Sequence, residues 1–196
     1  MMIFCKYFYG SSGVINLNML TIHHGLKLAR FLHDIKVKQK GGINVKGKVT
    51  GFIHSGITVK DIEISLDFYV NKLGLELISR QISSNEYISD IVELVNLQEV
   101  KIAFIRIPGG NEIELLEYVG MERYPGNVRP CDYGSGHICL KVEGIEEMYE
   151  RLKLSGVQFR SKKIVEITLG ANKGSKAIYM YDPDGYIIEL MEKSTN

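Results

Sequence analysis

Two stretches of the chain carry the same order of apolar and polar positions. One surrounds His54, in FIHSGITVKDIEISLDFYVNKLGLEL, and the other surrounds His137, in SGHICLKVEGIEEMYERLKLSGVQF. In both, alternating residues typical of a β-strand are followed by apolar residues at helical spacing and then by a glycine. The pattern therefore predicts a strand, a helix and a helix-ending glycine in each half of an internal repeat.

The helical spacing indicates which face of each predicted helix is buried. The apolar positions of the two helices, with the glycine that ends each, are Ile62, Leu66, Tyr69, Leu73 and Gly74 in the first and Ile145, Met148, Leu152 and Gly156 in the second. Three or four apolar residues on one face are typical of a helix that packs on a sheet. We expect both helices to cover the apolar face of the strands around them.

Strand-like runs follow each predicted helix. They are GLELISRQ, EVKIAFIRIP and NEIELLEYV in the first half, and GVQFRSKKI, KAIYMYDP and GYIIELME in the second. Gly109-Gly110 and Asp184-Gly185 are hairpin signals between the last two runs of each half. The predicted fold class is α+β: two paired βαβββ modules, about residues 50–120 and 134–193, that form a curled mixed sheet.

The first 47 residues do not share this pattern. They contain aromatic residues without a clear period, apolar positions at residues 26–32 that allow an amphipathic helix, and then a basic run with a Gly-Gly break. We interpret residues 1–47 as an N-terminal extension of uncertain structure. The domain proper is predicted to span residues 50–193.

Polar residues recur at equivalent strand positions of the two halves. Alternation places His54 and His137 on the strand faces opposite their helices, and Glu114 and Glu189 occupy matching Ile-Glu-Leu triplets. A carboxylate such as Glu189 among apolar neighbours needs a positive partner. Two imidazoles and two carboxylates on one concave face suit Zn, Ni, Co, Mn or Fe(II), so the sequence predicts a divalent-metal site there.

Other polar residues have simpler interpretations. Cys139 follows His137 by two residues and is expected to pack rather than to bind a metal. The three histidines of the N-terminal extension are not expected to be ligands, and three strand glutamates are expected on solvated faces. These residues are His23, His24, His33, Glu112, Glu117 and Glu192.

Composition limits the classes of function. The 196 residues carry a formal net charge of +1, with 45% hydrophobic and 24% charged residues, which is typical of a globular protein and not of a nucleic-acid-binding domain. No apolar run of about 18 residues predicts a membrane span. Three cysteines form no spaced motif, and the N-terminus lacks the order of a secretory signal. A cytoplasmic location is expected.

The motifs HSGITVKDIEISLDFYVNKLGLEL, IELLEY, GHICLKV and YDPDGYIIELME resemble the vicinal oxygen chelate superfamily, most of all glyoxalase I (lactoylglutathione lyase). The resemblance covers about residues 50–193. It implies paired βαβββ modules around a metal, with ligands at His54, Glu114, His137 and Glu189. It leaves open whether one chain supplies all four ligands or each of two chains supplies half; a homodimer is the expected assembly.

The chemistry implied by the resemblance is that of a divalent-metal-dependent lyase or isomerase. A carboxylate removes a proton next to a carbonyl, and the metal stabilises the enolate. Glu189 is the candidate base, with Glu114 as the alternative. The cofactor is one divalent ion per site, which is Zn, Ni, Co or Mn for the lyase and Fe(II) for an extradiol-type dioxygenase.

Two other functions are possible for this superfamily. An extradiol-type dioxygenase usually adds further His or Tyr residues, and after residue 50 the only histidines are His54 and His137. A non-catalytic, drug-sequestering module typically lacks the ligands that this chain keeps. The expected partner is a small molecule such as a glutathione or CoA thioester-type compound, and Lys173 in GANKGSKAI resembles a residue that meets the glutathione carboxylate.

Overall fold

The computed structural model describes residues 7–8, 14–15, 47–84, 86–126 and 129–195. The chain divides into two compact units, Met1–Thr50 and Gly51–Asn196. In the first unit, two short strands form an antiparallel pair. The predicted helix at residues 26–32 and the histidines at positions 23, 24 and 33 lie outside the described residues. None of the described helices is long and apolar enough to cross a membrane.

The elements follow the predicted order, except that the run GVQFRSKKI contains only an isolated bridge at Phe159 and the short strand begins after it, at Val165. The strands are β1 Tyr7–Phe8, β2 Val14–Ile15, β3 His54–Thr58, β4 Glu76–Ser83, β5 Glu99–Arg106, β6 Glu112–Val119, β7 His137–Lys141, β8 Val165–Glu166, β9 Lys176–Tyr181 and β10 Ile187–Glu192. The helices are α1 Ile62–Leu66, continued by a π-helical turn at Asp67–Lys72, then α2 Glu86–Val92 and α3 Ile145–Leu154. We call β3–β6 module one and β7–β10 module two.

Each module forms its own four-stranded mixed sheet. The strand orders are β3-β6-β5-β4 and β7-β10-β9-β8, with the first strand of each module parallel to the last and the other pairs antiparallel. The prediction of an α+β fold with two βαβββ modules is therefore confirmed. Both sheets are open, and α2 is an addition between β4 and β5 that the repeat did not predict.

The core lies on the side of each sheet that carries the helix. Ile113 and Leu115 of β6 and Ile188 and Leu190 of β10 are completely buried, and they join side chains from both modules in one hydrophobic cluster. Alternation then turns the residues between them to the opposite face. We call this opposite face, which bears the predicted His and Glu residues, the site face.

The buried faces of α1 and α3 agree with the predicted apolar positions. Ile62, Leu66, Tyr69 and Leu73 are all buried, as are Ile145 and Leu152. The first helix widens to a π-helical turn, which also brings Phe68 into the core beside Tyr69. Gly74 and Gly156 follow the helices with φ of +79° and +83°, a conformation that glycine adopts without strain.

The prediction that Glu117 lies on a solvated face is wrong. Glu117 is 8% exposed, because it shares the helix face of β6 with Ile113 and Leu115. Its carboxylate accepts the Ile62 N–H at 2.9 Å and the Lys101 ammonium at 2.9 Å. A buried carboxylate is thus compensated by a helix N-terminus and a cation.

The C-terminal hairpin turn joins module two to module one. The buried Asp182 accepts the Tyr69 hydroxyl at 3.1 Å and the backbone N–H groups of Asp184 and Tyr186 at 2.9 and 2.7 Å. The Lys60 N–H donates to Asp184 at 2.8 Å. Burial raises the pKa of the Asp182 carboxyl above its usual value, and the two backbone N–H donors act in the opposite direction.

Candidate functional site

The first predicted pair, His54 and Glu114, meets on the site face of module one. Parallel pairing of β3 with β6 sets Gly56 opposite Glu114, which brings His54 Nε2 to 3.0 Å from Glu114 Oε2. The Phe104 ring lies edge-on to the imidazole, with centroids 5.8 Å apart. The carboxylate side chain is 17% exposed and the imidazole side chain 34% exposed.

The second pair, His137 and Glu189, repeats the arrangement in module two. Parallel pairing of β7 with β10 sets Cys139 opposite Glu189, and His137 Nε2 lies 3.3 Å from Glu189 Oε2. The Tyr179 ring lies against the imidazole with centroids 5.2 Å apart. Each module therefore presents one imidazole nitrogen and one carboxylate side by side.

The two pairs do not converge within the described chain. No group of three or more His, Cys, Asp or Glu side chains among the described residues is close enough to hold a metal ion. Structural and catalytic zinc sites use at least three protein ligands, so one pair is half of such a site. The donor types fit a divalent transition metal, and the number of donors fits only if the two halves meet.

The residue beside each carboxylate differs between the modules. Module one has Gly56, where an added Cβ would lie 3.7 Å from Glu114 Oε2. Module two has Cys139, whose thiol donates a hydrogen bond to Glu189. Partial burial and the Glu189 carboxylate raise the pKa of this thiol to about 11, so it stays protonated at neutral pH.

A cavity lies in each module, and the residues of the His–Glu pairs line neither of the two. The cavity of module one has a volume of about 430 Å³ and is lined by apolar, aromatic and hydroxyl side chains and by one cation, Arg123. That of module two has a volume of about 450 Å³, and its lining includes three lysines, Lys141, Lys176 and Lys193, and two glutamates, Glu143 and Glu192. Lys176 pairs with Glu146, and Lys193 donates to the Asn172 side chain.

The predicted substrate contact, Lys173, is exposed at the tip of the β8–β9 connection. Its backbone N–H closes a turn on Gly170, and its neighbour Gly174 lines the module-two cavity. Its ammonium forms no ion pair or hydrogen bond within the described part of the chain. The lysines that do line the cavity were missed at the sequence level, although Lys141 follows His137 and Cys139 on the same predicted face.

Two aromatic residues at the site were also missed. Phe104 and Tyr179 each lie ten residues before the carboxylate of their module and directly opposite it in the antiparallel pairing. Comparing the residues ten positions before Glu114 and before Glu189 would have identified Phe104 and Tyr179. Burial and the Glu189 carboxylate raise the pKa of the Tyr179 hydroxyl, and burial and Glu114 raise that of Tyr118 in the same way.

Known proteins are similar to this chain in sequence and in fold. The sequence profile of the Glyoxalase/Bleomycin resistance protein/Dioxygenase superfamily matches residues 51–190. The lactoylglutathione lyase of Schizosaccharomyces pombe is 30% identical over 148 residues, 72% of this chain and 47% of that protein, so the match spans about half of this relative. The lactoylglutathione lyase of Pseudomonas putida is 30% identical over 159 residues, 72% of this chain and 84% of that protein.

A solved structure supports the same fold. A glyoxalase family protein of Bacillus cereus superposes with a TM-score of 0.64 at 23% sequence identity, covering 76% of this chain and 97% of that one. At this level of identity the similarity concerns the fold.

Proposed function

Because the chain belongs to the Glyoxalase/Bleomycin resistance protein/Dioxygenase superfamily, we propose that it is a divalent-metal-dependent lyase or isomerase of the glyoxalase I kind. The observation that carries this proposal is the repeated His–Glu pair, with Nε2–Oε2 distances of 3.0 and 3.3 Å at equivalent positions of the two sheets. The relatives named lactoylglutathione lyase support the choice of reaction.

The four ligands in this proposal are His54, Glu114, His137 and Glu189. When bound, the ion supplies Lewis acidity for charge that develops on two neighbouring substrate oxygens. The separation of the two pairs within the described chain supports a homodimer in which module one of each chain meets module two of its partner. Each site then takes one His–Glu pair from each chain, and a dimer carries two sites.

Proton transfer is assigned to the carboxylates. Glu189, with a side chain 13% exposed, accepts the proton from the substrate carbon next to a carbonyl and returns it to the neighbouring carbon; Glu114 is the alternative. The substrate class that we propose is the adduct of an α-oxoaldehyde with glutathione, in line with the relatives named lactoylglutathione lyase.

The first test is metal uptake by the purified full chain. Wild-type protein is expected to take up about one Zn, Ni, Co or Mn ion per chain, and Glu114→Gln and His137→Ala are expected to lose most of it. The control is Glu76→Gln, an exposed carboxylate of the same sheet that pairs with Arg106. Wild-type protein that takes up no metal would contradict the enzyme and favour a binding module.

The second test asks whether two chains share the site. His54→Ala and His137→Ala each break both sites of a dimer, but a mixed dimer keeps one site with all four ligands. Unfolding and refolding an equal mixture should restore about one quarter of the wild-type metal content, because half of the dimers are mixed. No restoration would show that each chain supplies its own four ligands. Turnover of the methylglyoxal–glutathione adduct is then assayed on the same samples.

A further inference from the structure

The cavity of module one has walls from two segments that the internal repeat does not contain. One is α2 with the loop after it, which contributes Val92 and Leu94. The other is the segment that follows β6, which contributes Met121, Arg123 and Tyr124. Among the described elements of module two, no helix lies between β8 and β9. The cavity is therefore a feature of module one and not of the repeat.

The floor of this cavity lies farther along the sheet than the His–Glu pair. Thr58 follows His54 by four residues on β3, and Tyr118 follows Glu114 by four residues on β6. At about 3.3 Å per strand residue, the floor is displaced by about 13 Å along the strands. A small molecule in the cavity is therefore not required to contact the pair.

Arg123 is a fixed cation that forms no ion pair within the described part of the chain. Its Nη1 and Nη2 atoms donate to the carbonyl oxygens of Val59 and Lys60, each at 2.9 Å. These acceptors hold the guanidinium in place, but they are neutral and give it no counter-ion. An arginine has five N–H donors, so three remain for a ligand. A guanidinium held in this way is suited to bind a carboxylate.

The rest of the lining is neutral. Among the described residues that line the cavity, Arg123 is the only charged one, and most of the others are apolar or aromatic. Leu94 lies in a loop where Glu93 and Asn96 have φ of +50° and +66°, a conformation that costs free energy in residues other than glycine. A volume of about 430 Å³ is within the range of small-molecule sites.

We propose that the cavity of module one is a binding site for a small aromatic carboxylate, which binds Arg123 through its carboxylate and packs its ring against the wall that includes Leu94. A cationic ligand would be repelled by the guanidinium, and a neutral one would not use its charge. The inference goes beyond the proposed function and does not depend on it, because none of the four proposed metal ligands lines this cavity.

The experiment uses 4-ethylbenzoate as the probe and the neutral 4-ethylbenzamide as its matched ligand. Both are titrated by NMR into the full chain after dialysis against a chelator, so that no metal binds the carboxylate. Wild-type protein should bind the benzoate roughly ten- to a hundredfold more tightly than the benzamide, as expected for hydrogen bonds between charged groups. Arg123→Met should lose this preference and keep the wild-type affinity for the benzamide.

Two controls separate the cavity from the surrounding surface. Arg106→Met removes an exposed arginine of the same module, which pairs with Glu76, and should keep the preference for the benzoate. Leu94→Asp places a carboxylate in the cavity and should weaken benzoate binding about tenfold or more. Val95→Asp changes the next residue, which is 81% exposed and outside the cavity, and should match wild type.

Several results would overturn the inference. They are a wild-type protein that does not bind the benzoate, equal wild-type affinities for the two ligands, and an unchanged preference in Arg123→Met. If Arg123→Met does not fold, Leu94→Asp decides: benzoate affinity equal to wild type, or an equal loss in Val95→Asp, would overturn the inference. All of these measurements are made without metal, so failure here leaves the proposed function to its own test.

Discussion

The two modules repeat one design with different surroundings. Both set a His–Glu pair on the site face through the same parallel pairing of first and last strands. Both also use the third residue after that glutamate to anchor the start of the helix: Glu117 accepts the Ile62 N–H, and Glu192 accepts the Gly144 N–H at 2.6 Å. The His–Glu pairs and the glutamates that anchor the helices are therefore common to both modules.

The two modules differ in the residues that surround these shared pairs. Phe104 and Gly56 lie beside the pair of module one, whereas Tyr179 and Cys139 lie beside that of module two. The symmetric parts suit a symmetric group such as a metal ion. The asymmetric parts suit a substrate with two unlike ends, which the two halves bind differently.

The helix anchors provide the largest expected difference in stability between the modules. Glu117→Ala leaves a buried N–H group without its acceptor and Lys101 without its counter-ion, so the free energy of unfolding should fall by about 3 kcal/mol. Glu192→Ala removes a more exposed anchor and should lower it by about 1 kcal/mol. Denaturant unfolding of both variants measures the difference.

The control for this pair is Glu76→Ala, which removes an exposed carboxylate of the module-one sheet. It should change the free energy of unfolding by about 0.5 kcal/mol or less. Equal losses for Glu117→Ala and Glu192→Ala would contradict the assignment of a buried anchor to module one only.

The C-terminal hairpin turn of module two should make the free energy of unfolding depend on pH, through Asp182. At the equivalent position, module one has Ile107 in place of Asp182, whose carboxyl group in module two has a pKa raised by burial. Between the usual and the raised pKa, the folded state binds a proton that the unfolded state has released, so stability falls as pH rises through that window. Asp182→Asn keeps an oxygen for the two N–H donors and should lack this decrease.

Unfolding of wild type and Asp182→Asn at a series of pH values from acidic to neutral checks the sign. The wild-type free energy of unfolding minus that of the variant should decrease as pH rises and then become constant. The asparagine variant should stay within about 1 kcal/mol of wild type near neutral pH. A difference that increases with pH would show that the folded state favours the ionised carboxyl group.

The smallest expected effect concerns the residue beside each carboxylate. Gly56→Ala makes module one more like module two, and the new Cβ would meet Leu116 Cδ1 at 3.5 Å, an ordinary contact. The free energy of unfolding should rise by about 0.5 kcal/mol, because glycine weakens a strand interior. Gly156→Ala, at φ of +83°, is the matched control and should lose about 1 kcal/mol.

Alternation along single strands was enough to predict much of this molecule. It placed each histidine on the face away from its helix, and the Ile-Glu-Leu triplets brought Glu114 and Glu189 to the same face. The apolar spacing of Ile62, Leu66 and Tyr69 identified the buried helix face, because that face is set by local periodicity.

The rest depends on neighbours that are distant in sequence. The burial of Glu117 follows from its position two residues after Leu115. A buried carboxylate needs a counter-ion, however, and that counter-ion is Lys101 on the next strand. Whether the two His–Glu pairs meet within one chain depends on how the modules pack, which alternation does not determine. The hydroxyl of Tyr179 was missed for a simpler reason, since aromatic residues in a strand usually serve packing.

The Tyr69–Asp182 hydrogen bond joins residues 113 positions apart in the chain. Within each module, the first and last strands also pair across an intervening helix, but over a much shorter segment. Closing a longer loop costs more conformational entropy, and contacts between residues far apart in the chain form more slowly. We therefore expect the two sheets to form early and largely independently during folding. The contact between the modules through Tyr69 and Asp182 should form late, once the C-terminal turn has formed.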